Sequence, residues 1–251
     1  SVPQWYHPDG GRLSDAENEL LERAAALQAR GDVEGAISLL ERALQQNPAS
    51  IKGTARLARL LETSNRWTRA IDAYTRLLEL LDPEQAPAQR QVALAHRGEC
   101  YRQAKCHPQA LADYSAAVSL QPRTDGPERV PAEYLFALAG RAETLRMMGR
   151  PHDALDWFDA ALAVHPSHAF AIRGKAAALN ALGRFEDAAS LWQRAVEIEP
   201  TSEFAQHGLR VDLALQRSVC GTFWTHFPRE NRSHDFPRAI IICRVFRISR
   251  N

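Results

Sequence analysis

The chain has 251 residues, 45% of them hydrophobic and 24% charged, and a formal net charge of +1. This composition excludes a disordered chain and fits one soluble domain or one elongated array, and the balanced charge gives no global pointer to nucleic acid. No apolar run approaches the roughly 20 residues of a membrane-spanning helix. The four cysteines, Cys100, Cys106, Cys220 and Cys243, are too sparse for a disulfide framework, so reduced thiols and a cytoplasmic setting are expected.

Residues 1–13 contain Pro3, Pro8 and Gly10-Gly11 and are expected to form an irregular arm. Its Trp5 and Tyr6 suit either a lid over the first helix or an anchor for a partner. Ser14-Asp15-Ala16-Glu17 fits a capping box, with Ser14 and Glu17 exchanging bonds with first-turn amides, so the first helix is expected to begin there. From that point apolar residues recur at helical spacing in pairs of short segments, each pair divided by a turn and closed near a proline. Leu20, Ala24 and Leu27, then Ala36, Leu40 and Ala43, make the first pair, with a turn at Gly31 and an end at Asn47-Pro48. Leu57, Ala58, Leu61, Ala70, Tyr74 and Leu77 make the second, turning at Asn65 and closing at Asp82-Pro83. Leu94, Gly98, Tyr101, Ala110, Tyr114 and Ala117 make the third, turning near Lys105 and closing at Pro122.

The fourth and fifth pairs are nearly the same text. Ala142, Leu145, Gly149, Ala154, Phe158, Ala161 and Pro166 return 34 positions later as Ala176, Leu179, Gly183, Ala188, Trp192, Ala195 and Pro200. A fixed period of this length marks a stacked repeat. Ala24, Ala58, Gly98, Ala142 and Ala176 face Ala36, Ala70, Ala110, Ala154 and Ala188, because two helices approach closely only where neither carries a large side chain. The large residue four places on, Leu40, Tyr74, Tyr114, Phe158 or Trp192, is expected to fill the wedge to the next pair.

This spacing resembles the tetratricopeptide repeat, in which a hydrophobic, a small and an aromatic or leucine position on one helix precede alanine, an aromatic and a closing proline on the next. Leu94, Gly98, Tyr101, Ala110, Tyr114 and Pro122 match it best. The resemblance implies an all-α fold, a right-handed superhelical α-solenoid of about five hairpins over residues 17–50, 51–84, 91–124, 135–168 and 169–202, with a terminal capping helix over 203–217. No unit has the family's opening Trp, Thr54 is polar where an apolar residue is usual, and Asp82 replaces a closing proline. The spans from Asp82 to Pro122 and from Pro122 to Pro166 exceed the period, which places insertions near Pro83–Arg90 and Thr124–Glu133 as loops or helix extensions. In the capping helix Phe204, Leu209 and Leu213 are expected to face inward. Residues 218–251 hold six arginines against Glu230 and Asp235, a local charge of +4 that leaves −3 for the rest. They form a basic, aromatic tail of low order or the start of a truncated domain, with a strand expected over Ala239–Ser249.

The resemblance also implies that the first helix of each pair lines a concave groove for a peptide or partner protein. The exposed stripes there are Lys52, Ala55, Arg59 and Glu62; Val92, Ala95, Glu99 and Arg102; Phe136, Ala139, Glu143 and Arg146; Phe170, Arg173, Ala177 and Asn180; and Phe204, His207 and Val211, after an opening stripe of Asn18, Leu21, Ala25 and Gln28. Val92, Phe136, Phe170 and Phe204 form an apolar track or else pack between first helices. Arg59, Arg102, Arg146 and Arg173 form a row of donors for an acidic partner or else pair locally with Glu99 and Glu143. Leu21 and Ala25 stand where chaperone-tail binders need Lys and Asn, so that specificity is not expected. There is no HExxH, GxSxG or glycine-rich phosphate loop, and Cys220, His226, His234 and Cys243 have no usual zinc spacing. The expectation is therefore a non-enzymatic scaffold with no cofactor, no metal, no nucleic acid and a protein or peptide partner. A recruiting part of a larger enzyme and a self-associating array are the rivals.

Overall fold

Eleven α-helices account for the regular structure of the described residues: α1 (Asp15–Ala29), α2 (Val33–Gln46), α3 (Ile51–Thr63), α4 (Trp67–Leu80), α5 (Pro87–Gln103), α6 (His107–Ser119), α7 (Ala132–Met147), α8 (Pro151–Val164), α9 (Ala169–Ala181), α10 (Phe185–Ile198) and α11 (Glu203–His226). The computed structural model describes residues 15–120 and 130–226, with side chains as far as residue 214. The expected arm, the Ser14 cap, the loop over 121–129 and the strand over Ala239–Ser249 lie outside the described residues. The fold is all-α, an α-solenoid of helical hairpins. Two compact units divide the chain, Ser1–Gly174 and Lys175–Asn251. None of the described helices is long and apolar enough to cross a membrane.

One turn chemistry makes all five hairpins. Gly31, Asn65, Lys105, Gly149 and Gly183 have φ of 83°, 59°, 62°, 74° and 72°. At each, the amide of the left-handed residue bonds the carbonyl three back, and the next amide bonds the carbonyl five back, as in Lys105 N to Arg102 O at 3.0 Å and Cys106 N to Tyr101 O at 2.8 Å. This closure satisfies the otherwise orphaned last carbonyls of the first helix and turns the chain back on itself. Asn tolerates the conformation through its short polar side chain, whereas Lys105 carries the steric cost of a Cβ there.

In the first unit the hairpins stack in chain order, and their contacts follow from residue size. Ala36, Ala70, Ala110 and Ala154 are fully buried, as are Ala58 and Ala142 opposite them. Tyr114 and Phe158 are fully buried too, and each lies on a glycine of the next first helix. A Cβ built at Gly140 would stand 2.4 Å from Tyr114 Cζ, and one at Gly174 would stand 2.3 Å from Phe158 Cζ. The aromatic ring therefore takes the room that glycine leaves. Truncating such a ring leaves a cavity and costs about 3–5 kcal/mol. The second unit repeats the device, with Trp192 buried against Gly208 of α11. Thr54 and its neighbours are not loosely packed: Thr54 is buried and donates to Ser50 O at 2.7 Å.

Several local expectations are corrected. Glu17 is buried on the hairpin contact and accepts from Asn47 Nδ2 of the α2 C-cap at 2.8 Å, a tertiary bond that its place in a capping box did not suggest. Of the two forms expected for the first insertion, a loop or a helix extension, the extension is found: α5 starts at Pro87, a residue suited to a first helical turn because its amide would be orphaned anyway. Leu27 is half-buried. In α11 the inward face is Ala205, Gly208 and Asp212, while Phe204 is 62% exposed and Leu213 40%. Buried Leu138 and Ile172, and buried Ala142 and Ala176, have as their α11 counterparts exposed Gln206 and Arg210, which turn a polar side outward. The next turn position, 34 past Gly183, is Arg217, and the helix passes the expected end there and runs to His226, shortly before Pro228.

Candidate partner-binding face

The C-terminal halves of α3, α5 and α7 each carry a glutamate and an arginine three residues apart, on one face of the helix. In α5, Arg102 Nε donates to Glu99 Oε2 at 3.0 Å and Arg102 Nη2 to Glu99 Oε1. In α7, Arg146 Nε and Nη2 donate to Glu143 at 2.8 and 2.7 Å. In α3 the order is reversed: Arg59 Nη1 donates to Glu62 Oε2 at 3.1 Å. The second helices add a hydroxyl from behind. Tyr74 donates to Glu62 at 2.6 Å and Tyr114 to Glu99 at 2.7 Å. The aromatic at the corresponding place in the fourth hairpin is Phe158, which has no hydroxyl to give Glu143.

These bonds set the electrostatics. Burial, the largest influence, pushes the Glu62 carboxyl up, but His96, Tyr74 and Arg59 together outweigh it and hold it below its ordinary value. Glu99 is likewise lowered, burial being outweighed by Arg102, Tyr114 and Gln103. Burial and the facing carboxylates raise both tyrosines well above the usual phenol value. Between them Cys100 is fully buried, and burial with the charges of Glu62 and Glu99 pushes its thiol up to about 12. Glu62 and Glu99 are thus held as ionised acceptors, and each of the three glutamates clamps an arginine by two of its arms or by one, so that the guanidinium is pre-aimed.

His96 joins the hairpins. It occupies the position that is Gly140, Gly174 and Gly208 in later first helices, so a ring stands here where they have no side chain. The ring stacks on Tyr74 at 6.0 Å between centroids and approaches Phe136 of α7 at 5.3 Å. His96 Nδ1 lies 3.1 Å from Glu62 Oε1 and 3.0 Å from Arg59 Nη1. Phe136 also meets Tyr114 edge-on at 6.3 Å. Further along, Arg102 Nη1 reaches Met147 Sδ on α7 at 3.8 Å, and the Arg102 charge bears on Arg146. Contacts therefore run from Arg59 to Met147, the neighbour of Arg146 in the chain.

Of the expected residues, Arg59, Glu62, Glu99, Arg102, Phe136, Glu143 and Arg146 meet on this face. Val92 is half-buried nearer the start of α5, and Lys52 lies in the first turn of α3, about 15 Å from Glu62 by helical rise. Ala55, Ala95 and Ala139 do not face outward, nor does Leu21; all four are buried between helices, since the open stripe is narrower than helical spacing alone suggests. Arg173 does not continue the arginine row. It stands one period after Ala139, not after Arg146, and its charge bears on His168, beside Phe170. Asn180, the counterpart of Arg146, belongs to the second unit, where it donates to buried Asp212 at 2.5 Å. Phe204 meets Trp192 edge-on at 5.5 Å, and His207 is exposed on α11. Sequence reasoning missed His96, the two tyrosine hydroxyls and Met147; the break in the glycine series at His96 was the available signal. Among the described residues no group of three His, Cys, Asp or Glu could hold a metal ion.

Three family models described as tetratricopeptide repeat match the chain, over residues 27–96, 89–167 and 140–203. The fold is similar to a tetratricopeptide repeat protein from Parabacteroides merdae, at TM-score 0.64 and 17% identity, covering 86% of this chain and 81% of that one. It is also similar to YrrB, described as a TPR protein with an unusual peptide-binding site, at TM-score 0.58 and 17% identity over 80% of this chain and 98% of that one. A thermophilic TPR protein of Thermus thermophilus aligns at TM-score 0.54 and 21% identity, over 79% and 99% of the two chains. No curated protein matches the sequence. At these identities the likeness to solved structures speaks for the fold.

Proposed function

Because this chain belongs to the tetratricopeptide repeat family, a family of protein-interaction scaffolds, we propose that it holds a peptide segment of a partner protein across α3, α5 and α7. The observation that carries this reading is the row of glutamate-clamped arginines with His96 and Phe136 set among them. A clamp of this kind has lost its side-chain freedom before the partner arrives, so less entropy remains to be lost on binding. Each pair is nearly neutral overall, which favours a segment that presents an acceptor to one outward N–H at a time over a strongly acidic stretch. Asp or Glu side chains and backbone carbonyls supply such acceptors. An apolar anchor then sits against Phe136 and Val92. The peptide-binding site in the description of YrrB is in keeping with this use of the fold.

The test uses α3 as its guide. Exchanging the partners in α5, Glu99→Arg with Arg102→Glu, copies the Arg59/Glu62 order, keeps an ion pair and still gives Tyr114 a carboxylate. Peptides selected from a displayed random library on the full chain are expected to lose about ten-fold or more in affinity for this exchange, as for one lost charge-assisted bond. Melting should stay close to that of the parent. Equal affinity for the parent and the exchanged protein would place the partner elsewhere.

A further inference from the structure

The chain has two methionines, and they are neighbours at the exposed end of α7. Met147 is 41% exposed and Met148 37%. Only Met147 touches the face described above, through its sulfur at 3.8 Å from Arg102 Nη1. Arg102 spends Nε and Nη2 on Glu99, and among the described residues the Met147 thioether is the sole acceptor for Nη1. A thioether is a weak acceptor, so this arm of the guanidinium is aimed but scarcely engaged. The link is peculiar to this joint: the counterpart of Met147 is Gln103 in the preceding hairpin and Ala181 in the following one.

We propose that Met147 is a peroxide-sensitive modification site, whose sulfoxide captures the Nη1 arm of Arg102 and closes that arm to a bound segment. The closing rests on the partner-binding reading given above; the capture does not. In the step itself the thioether sulfur gives an electron pair to one oxygen of hydrogen peroxide, an S–O bond forms, the O–O bond breaks, and the other oxygen leaves as water. Sulfur is oxidised by two electrons, peroxide is reduced, and sulfoxide reductases reverse the change. The sulfoxide oxygen is a strong, charge-accepting partner standing where the weak one stood. It ties α5 to α7 and leaves Glu99 its other two bonds from the same guanidinium. Met148 is similarly exposed, and the hydrogen bond of Arg102 goes to Met147, so Met148 is the internal control.

The experiment uses the full chain with labelled methionine methyl groups, which give two signals, assigned by Met147→Leu and Met148→Leu. In the reduced protein Arg102→Ala should move the Met147 signal and leave the Met148 signal in place. After peroxide treatment of Met148→Leu, in which Met147 is the remaining methionine and the cysteines are those of the Met147→Leu control, exchange of the Arg102 Nη protons with water should slow by about ten-fold or more, the strength of a charge-assisted bond. In treated Met147→Leu it should not change, and methionine sulfoxide reductase should restore the original rate. Equal exchange rates in the two treated variants would overturn the capture. A peptide obtained by display should bind treated Met148→Leu about ten-fold more weakly than treated Met147→Leu. Slowed exchange with unchanged peptide affinity would leave the capture standing and overturn the closing, along with the use of Arg102 as a partner contact.

Discussion

Gly140→Ala is the sharpest probe of how the hairpins are joined. An alanine in a helix interior is worth about 1 kcal/mol over glycine on propensity alone, so in an open helix the change would stabilise. Here the new Cβ would stand 2.4 Å from Tyr114 Cζ, 2.5 Å from Cε1 and 2.8 Å from the hydroxyl oxygen. Contact between such atoms is comfortable near 3.5–4 Å, roughly an ångström further out. The ring has nowhere to go. Its other side already lies 3.3 Å from the place a Cβ would take at Gly98, its edge meets Phe136, and its hydroxyl is bonded to Glu99. Either α7 shifts off α6 or the ring leaves its pocket, and overpacking of this sort costs about 1–3 kcal/mol net. For a chain of this size that lowers Tm by roughly 2–4 °C per kcal/mol. The control is Tyr114→Leu, which copies Leu40 of the first hairpin and removes the clashing atoms. In that background Gly140→Ala should be neutral or stabilising, so the coupling in a double-mutant cycle should reach about 2 kcal/mol, well above the usual few tenths of non-additivity. An equal cost of Gly140→Ala in both backgrounds would refute the ring-on-glycine account of the stack.

Three further outcomes can be checked in the same preparations. Lys105→Gly should stabilise by about 0.5–1 kcal/mol, because relief of the left-handed strain exceeds the entropy added to the unfolded chain; a loss of stability in urea would show the turn to be held by the Lys105 side chain. Glu62 and Glu99 have native carboxyl values below the ordinary one, so their contribution is fully present above the ordinary value of 4.5 and is lost as pH falls through the lowered native values. The urea midpoint should therefore drop through that acid window, and Glu62→Gln with Glu99→Gln should flatten the drop; an unchanged slope contradicts it. Cys100, with its thiol near 12 and fully buried, should resist a thiol reagent in the folded protein at neutral pH while half-buried Cys106 reacts, and equal labelling of the two by peptide mapping would count against the packing of α5 on α6.

The repeat was legible because it depends on residue size at fixed spacing. Ala142 and Ala154, Phe158 and Trp192 are buried as the 34-residue period requires, and the turns fall at Gly31, Asn65, Lys105, Gly149 and Gly183. The face on α3, α5 and α7 was legible only as a set of residues. The pairing of Arg102 with Glu99 could be read as a local option at three residues' separation, but the tyrosine hydroxyl behind it comes from another helix and depends on how closely the two helices approach. Arg173 looked like the next arginine of a row and stands about two helical turns before the counterpart of Arg146, which is Asn180. Leu213 looked like a core residue because its counterparts Leu145 and Leu179 are, and Phe204 because of the helical pattern, although its counterpart Phe170 is itself 38% exposed; in α11 the side that second helices cover in earlier hairpins carries Gln206 and Arg210. A burial pattern carried forward from repeat to repeat fails where the stack changes partner.

The partner-binding claim is tested most directly by titrating a display-selected peptide into the full chain and following side-chain signals by nuclear magnetic resonance. The signals of Arg59, His96, Arg102 and Arg146 should shift together with one dissociation constant, while residues on α2, α4 and α6 stay in place. Shifts confined to those second helices, with the four side chains unmoved, would contradict the account.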